Sequence, residues 1–414
     1  MRAVVVALGK IGLPLAAQIA RAGHDVVGCD IDPEVVDKVN AGAAPFPGEA
    51  GLDEALQEAV DAGRLRATTR TTDAVGAGPD LVIAVPPLGV DHRAHPDWRS
   101  LDAAVRAIGE GLQPETTVSI ETTVPLGTTR RRLAPLLEQH SGLMAERHFH
   151  LVFSPERVYS GRVFRDLATY PKLVGGLSPE AEARGVELYR SFLDAEVWGM
   201  GSAEAAELAK LAETTYRDLN IAFANELALI ADDQDVDVAR VIEAANSQPF
   251  SHIHSPGVAV GGHCIPVYPR FLLAGAPEAR LPRVAREVNE TMPAYAVDLL
   301  GEVRSKRVLV LGVTYRGGVK ETAFSGALAL RDELQARGAG DVLGHDPLLS
   351  DAELEALDFV PWDGSAVDAA IVQADHAEYA RFGPDELPAE MIVDGRGILD
   401  VGRFDGRVKR LGRP

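Results

Sequence analysis

The chain has 414 residues, too many for one ordinary hydrophobic core, and its 46 % apolar and 25 % charged content is that of a globular protein of two or three domains. With 41 basic against 61 acidic residues the formal charge is −20, which disfavours nucleic acid and anionic membrane as partners. Two cysteines build no disulfide framework, and we find neither a signal peptide nor the apolar run of roughly 18 residues that a membrane span needs, so a cytoplasmic protein is expected.

Strand and helix signals alternate through the first part. Residues 3–8 read as a continuous apolar strand, a helix starts at Gly12 and stops at Gly23, and a second strand covers 25–30. Further strands are expected at 80–85, 117–121 and 151–153, and the alternation implies a parallel sheet covered on both faces. Arg130-Arg131-Arg132 is too short for a basic patch and reads as a solvated helix face. Residues 202–232 hold no proline or glycine, and Leu208, Leu211, Ala212, Tyr216, Leu219 and Phe223 recur at helical spacing. A helix this long bridges domains or forms an isologous dimer face, so a homodimer is expected. Helices at 236–245 and 282–300 follow. From 305 the strand–helix rhythm returns, with strands at 308–312, 342–345, 368–372 and 391–393 and a helix at 326–337. The expected architecture is α/β: two Rossmann-like parallel-sheet domains, 1–198 and 304–414, joined by a central helical domain, 199–303.

The turn after the first strand reads Ala7-Leu8-Gly9-Lys10-Ile11-Gly12, a G-x-G-x-x-G fingerprint whose first glycine is alanine. Gly9 lets a pyrophosphate approach the backbone, Gly12 lets helix and strand pack closely, and Lys10 and Ile11 lead into the helix N-terminus that faces the phosphates. Asp30 ends the second strand; a carboxylate there accepts from ribose hydroxyls and repels a 2′-phosphate, so NAD is expected rather than NADP. A βαβ turn without a cofactor is the plainer alternative, against which the strand–turn–helix context and Asp30 both argue.

A second motif is Val260-Gly261-Gly262-His263-Cys264-Ile265-Pro266. Two glycines allow close approach to a ligand, and Pro266 fixes the exit of the turn. Most free cysteines are small buried hydrophobes, but a thiol presented on such a turn is a candidate nucleophile or metal ligand. His263, His252 and His254 match no zinc spacing, and no metal is expected.

With these residues placed, the chain resembles the UDP-sugar 6-dehydrogenases, the UDP-glucose and UDP-N-acetylmannosamine dehydrogenase family. The resemblance spans nearly the whole chain. Beyond the two turns it includes Ile120-Glu121-Thr122-Thr123-Val124-Pro125, Ser154-Pro155-Glu156-Arg157, Ala209-Lys210-Leu211 and Val310-Leu311-Gly312-Val313-Thr314-Tyr315-Arg316. It implies that the C6 alcohol of a UDP-sugar is oxidised twice to a carboxylate with NAD, through a thiohemiacetal and a thioester on Cys264. It further implies that Lys210 supports the oxyanions, and that Thr123 and Glu156 hold the water and sugar hydroxyls, Glu156 being the candidate base. Arg157 and Gly261 are implied on the sugar, and Arg316 and Lys320 on the diphosphate. An ion pair of Glu156 with Arg157 or another cation, and a solvated Lys210, are the structural alternatives; Tyr315 reads equally as a stacking surface or as packing. The third domain lacks the glycine fingerprint in its first turn, which argues against a second dinucleotide.

Four positions depart from the family pattern. Tyr268 stands where an Asp assists hydrolysis, and Thr214 where an Asn follows the lysine by one helical turn on the same face. Phe250 falls near a sugar-reaching arginine supplied by the partner subunit in some members, and Ala323 at an arginine of the third domain. The histidine of Gly-Gly-His-Cys resembles the branch acting on N-acetylated sugars, so UDP-N-acetylmannosamine is the expected substrate. UDP-glucose, or a homologue that only binds nucleotide sugars, is the alternative.

Overall fold

The computed structural model describes residues 1–413 apart from His92 and Ser160. Contacts divide the chain into two units, Met1–Glu213 with Ala274–Pro277, and Thr214–Leu273 with Glu278–Pro414.

The first unit is built on an eight-stranded sheet. Its strands are β1 (Arg2–Val6), β2 (Asp25–Cys29), β3 (Leu65–Thr68), β4 (Leu81–Ala84), β7 (Thr117–Ile120), β8 (His150–Phe153), β9 (Lys172–Gly176) and β10 (Val197–Gly199); β5 (Gly89–Val90) and β6 (Pro96–Asp97) form a separate hairpin. The spatial order is β10-β9-β8-β7-β4-β1-β2-β3. From β3 to β8 it is the doubly wound order, which reverses direction between β1 and β4 and leaves a crevice beyond their C-terminal ends. The sequence implies a parallel sheet throughout, but β8 and β9 pair antiparallel. Helix Val163–Thr169 lies between them in the chain, and its path returns β9 in the opposite direction. Val5, Leu13, Ile19, Val26 and Ile83 are among the residues that close this core.

In the second unit six parallel strands follow the same order: β11 (Arg307–Leu311), β12 (Asp341–His345), β13 (Val360–Pro361), β14 (Val367–Val372), β15 (Ala389–Asp394) and β16 (Val408–Arg410), arranged β13-β12-β11-β14-β15-β16. Alternate residues of β11 point to opposite faces: Val308 and Val310 pack with Met292, Ala296 and Leu330, while Leu309 and Leu311 pack with Tyr379 and Phe404. Both faces are covered, as an all-parallel sheet requires.

The helix Ala203–Asp233 begins in the first unit and continues in the second. In the first, buried Glu207 accepts from Thr129 N at 2.9 Å and Thr129 Oγ1 at 2.7 Å. In the second, Asp218 accepts from Arg286 Nη1 and Asn289 Nδ2, both at 2.8 Å, on helix Arg280–Leu300. The arginine triplet is not a merely solvated face: Arg130 pairs with Glu204 at 2.7 Å, and Arg132 pairs with Asp102 at 2.6 Å while stacking on Trp98.

Candidate active site

β1 ends at Val6, and Ala7 turns the chain with φ of 76°, a left-handed conformation that costs an L-residue about 1–2 kcal/mol. Its N–H donates to Cys29 O at 2.8 Å, so pairing to β2 holds the strained residue. A methyl at Gly12 would stand 2.0 Å from Ala7 O, so only glycine fits there. A Cβ at Gly9 would meet nothing within 4 Å, and no side chain caps the helix Gly12–Arg21 that follows. Asp30 accepts from Leu8 N at 2.8 Å and Asp32 N at 3.0 Å, which fixes its carboxylate beside the turn. Lys10 is exposed and Ile11 half-exposed at the same turn. Room at Gly9, uncapped helix N–H groups and an oriented carboxylate fit a dinucleotide.

The corresponding turn of the second sheet is Gly312-Val313-Thr314-Tyr315-Arg316-Gly317, which keeps the outer two glycines of the fingerprint and loses only the middle one. Gly312 has φ of 88° and donates to His345 O at 2.8 Å, as Ala7 does to Cys29. Asp346 follows β12 as Asp30 follows β2. Its Oδ2 takes Thr314 N and Thr314 Oγ1, both at 2.7 Å, with His376 Nε2 at 3.1 Å. Leu348 N donates to Oδ1 at 2.9 Å. Threonine thus stands at the middle position of the turn, and the carboxylate after β12 is engaged by protein donors.

Beyond the ends of β7, β8 and β9 the first unit gathers charged groups. Glu156, just after β8, accepts from Arg157 N at 2.6 Å and Val158 N at 3.1 Å through Oε1, and from Lys172 Nζ at 2.9 Å through Oε2. Lys172, the first residue of β9, also donates to Glu121 Oε2 at 2.8 Å. Glu121 accepts in addition from the Tyr189 hydroxyl. Burial disfavours the charge of Glu156, but the Lys172 ammonium outweighs it and holds the carboxyl below its usual range. Glu121, fully enclosed and beside a second carboxylate, is pushed up to about 7 by burial despite Lys172. Lys210 is buried and lies 3.0 Å from Glu213 Oε1, whose Oε2 takes Arg157 Nε at 2.9 Å. Glu156 therefore pairs with another cation rather than with its neighbour Arg157, and Lys210 is not solvated. Thr123 is buried three residues past β7, and Thr214 lies one helical turn after Lys210.

Cys264 belongs to the second unit. The approach to it is tied to the long helix, His254 N donating to Asn220 Oδ1 at 2.8 Å and Gly257 N to Asn225 Oδ1 at 2.9 Å. A Cβ on Gly261 would lie 2.8 Å from Tyr315 Cβ, and one on Gly262 would lie 3.0 Å from the Tyr315 ring. Gly262 has φ of 90° and donates to Ala323 O at 3.2 Å. Tyr315 is thus the floor on which the turn rests, and Ala323 contributes through its backbone. The Cys264 thiol is exposed, and its carbonyl accepts from Tyr268 N at 2.9 Å, at the start of helix Tyr268–Gly275. His263 Nε2 lies 3.2 Å from Glu321 Oε2. The Tyr268 ring packs on Phe271, and Phe250 is 92 % exposed. Arg316 is exposed above Tyr315, whereas Lys320 Nζ is engaged by Glu353 at 2.7 Å.

Sequence reasoning did not single out Lys172, Glu213 or Arg396, whose guanidinium borders Gly257. A lysine opening the run Lys172-Leu173-Val174 is the one sequence signal by which Lys172 could have been found.

Three models of the UDP-glucose/GDP-mannose dehydrogenase family match in order: the NAD binding domain over residues 1–193, the central domain over 204–291 and the UDP binding domain over 309–401. The chain is 38 % identical over 412 residues to a UDP-N-acetyl-D-mannosamine dehydrogenase of Pyrococcus horikoshii, covering 96 % of both chains. It is 34 % identical over 415 residues to an NDP-N-acetyl-D-galactosaminuronic acid dehydrogenase of Ralstonia nicotianae, covering 97 % of this chain and 96 % of that one. It is also similar to the solved structure of the UDP-D-ManNAc dehydrogenase from Pyrococcus horikoshii, with a TM-score of 0.89 and 35 % identity over 100 % of this chain and 99 % of that one. With a dinucleotide turn that fits NAD and an exposed thiol on a glycine turn, the chain belongs to the UDP-glucose/GDP-mannose dehydrogenase family and is an NAD-dependent nucleotide-sugar oxidoreductase.

Proposed function

We propose that the protein oxidises the C6 alcohol of UDP-N-acetyl-D-mannosamine to the uronic acid, and the observation that carries this reading is the exposed Cys264 thiol on a turn locked against Tyr315. NAD, when bound, accepts the hydride that leaves C6 in each oxidation. An aldehyde loses a second hydride readily only once a nucleophile has made its carbon tetrahedral. The Cys264 thiolate supplies that nucleophile: its sulfur bonds to C6, and the former carbonyl oxygen takes the negative charge. Lys210 provides the cation such an oxyanion needs, with hydroxyls at Thr123 and Thr214 as donors. Water then adds to the thioester, the carbon–sulfur bond breaks, and thiol and carboxylate are released. Glu156 orients that water and accepts its proton. Arg157 and Gly261 serve the sugar, and Arg316 the diphosphate, in bidentate fashion; Lys320 joins it only by leaving Glu353. The same reading divides the chain into an NAD-binding domain, 1–198, a central helical domain, 199–303, and a UDP-sugar-binding domain, 304–414.

Two further parts of the reading concern context. Cys29 and Cys264 are unpaired thiols and no described helix is long and apolar enough to cross a membrane, which supports a reducing, cytoplasmic setting. Leu208, Tyr216, Phe223 and Ile230 are exposed at near-heptad spacing along the long helix, and a second copy of the chain is their proposed partner.

The test is the yield of NADH per sugar with UDP-N-acetylmannosamine, UDP-N-acetylglucosamine, UDP-glucose and UDP-galactose. Two NADH per UDP-N-acetylmannosamine and an acid product are expected, and Cys264→Ala should lower acid formation at least about a thousandfold. Turnover of UDP-glucose alone would replace the substrate. Full acid formation by Cys264→Ala would end the covalent route, and tight UDP-sugar binding without NADH would leave a binding protein.

A further inference from the structure

We infer that Lys172 is a positioning residue that, anchored from behind by Glu121, holds the Glu156 carboxylate ionised and aimed for its work on the sugar. The inference rests on the role given to Glu156 above. Lys172 is 4 % exposed and Glu121 fully buried, so neither meets substrate directly. An ammonium is rarely enclosed to this degree without function or full pairing. Here it bridges two carboxylates at 2.8 and 2.9 Å, and its third side faces the Tyr189 ring, with Nζ 5.2 Å from the centroid.

The charges decide which carboxylate the lysine serves. Two carboxylates around one ammonium carry a net negative charge that a buried site tolerates poorly, so the cluster retains a proton near neutrality. Glu121 is the better home for it: it is the more deeply enclosed, no backbone N–H among the described residues is seen to donate to it, and burial outweighs both Lys172 and the hydrogen bond donated by the Tyr189 hydroxyl. Glu156 has two backbone N–H donors as well as Lys172, a set of partners suited to a carboxylate. With Glu121 protonated, the lysine charge goes to Glu156. Among the described residues, Arg157, Lys210 and Glu213 are the other charged groups next to this cluster; Lys210 also favours the ionised form of Glu156, while Glu213 is engaged by both Arg157 and Lys210.

The experiment compares pH–rate profiles of the full-length enzyme and its variants with NAD and the sugar that turns over. In Lys172→Met the acidic limb of kcat should move up by roughly one to three pH units, as expected on removing an opposite charge within about 4–6 Å, with activity recovering at high pH. Lys172→Arg should restore the limb. Glu156→Gln should lose activity at every pH. If Lys172→Met fails to fold, the double variant Lys172→Met/Glu121→Met decides, since an apolar pair of similar volume removes both buried charges. A wild-type profile in either variant, with Glu156→Gln inactive, overturns the positioning role. Full activity of Glu156→Gln instead removes the role of Glu156 itself. A loss of Tm without any movement of the limb marks Lys172 as structural only.

Discussion

Ala7 adopts a backbone conformation that suits glycine better than itself. It occupies the first position of the dinucleotide fingerprint with φ of 76°, and its carbonyl is the atom against which Gly12 packs. The left-handed region costs alanine about 1–2 kcal/mol, partly offset in glycine by the roughly 0.5–1 kcal/mol of extra chain entropy lost on folding. Ala7→Gly should therefore raise the Tm by a few degrees at most and leave NAD affinity intact. An unchanged or lower Tm in thermal unfolding would show that the turn is relaxed around alanine. The contrast with Cys29 is also local: burial pushes that thiol up to about 11, which leaves it inert, whereas Cys264 is exposed on its turn.

At the scale of elements, two turns of the same build differ in how their acidic residue is engaged. Both follow the first strand of a doubly wound sheet, and both are paired with an acidic residue after the second strand. In the second sheet, Asp346 takes hydrogen bonds from His376, from Thr314 through both its N–H and its hydroxyl, and from Leu348. Burial opposes the charge, but these donors outweigh it and hold the carboxyl at about 2. The lowered value means this carboxylate stabilises the fold fully above its ordinary value near 3.8 and ceases to do so as pH falls through about 2. Asp346→Asn should cost about 2 kcal/mol at neutral pH and flatten the acid dependence of stability between those values. Unfolding curves collected from pH 2 to pH 7 check it, and an unchanged slope would count against the assignment. Most strands of both sheets were legible because apolar runs alternate with helical spacing, but the inner strand β9 was not, its two apolar residues lying between Lys172 and the pair Gly175-Gly176. The edge strands β3, β10, β13 and β16, of two to four residues, carry too few side chains to show a period.

For the whole molecule, the apolar stripe on the long helix is the feature that a lone chain leaves unexplained. Four large apolar side chains spaced seven or eight residues apart stay exposed on one helix, and Phe250 is open to solvent as well. A homodimer burying them is the expected state in light scattering. Phe223→Glu combined with Tyr216→Glu should shift the protein to monomer by placing charges in the buried centre of the interface. A wild-type monomer at working concentration would remove the dimer.

The sequence alone determined the α/β class of the two sheets, the long helix, the dinucleotide turn and the glycine turn that carries Cys264. Each of these depends on neighbours within one or two turns of chain: apolar periodicity, glycines at fixed offsets, and an acid at a strand end. Tertiary structure decided what depended on distant partners. It brought Lys172 from β9 to Glu121 and Glu156, engaged Lys320 with Glu353, made Tyr315 the floor of the cysteine turn, and joined Thr314, Asp346 and His376 by hydrogen bonds at the turn of the second sheet. A charge buried by a fold is identified by the groups that surround it, and those groups are far away in sequence.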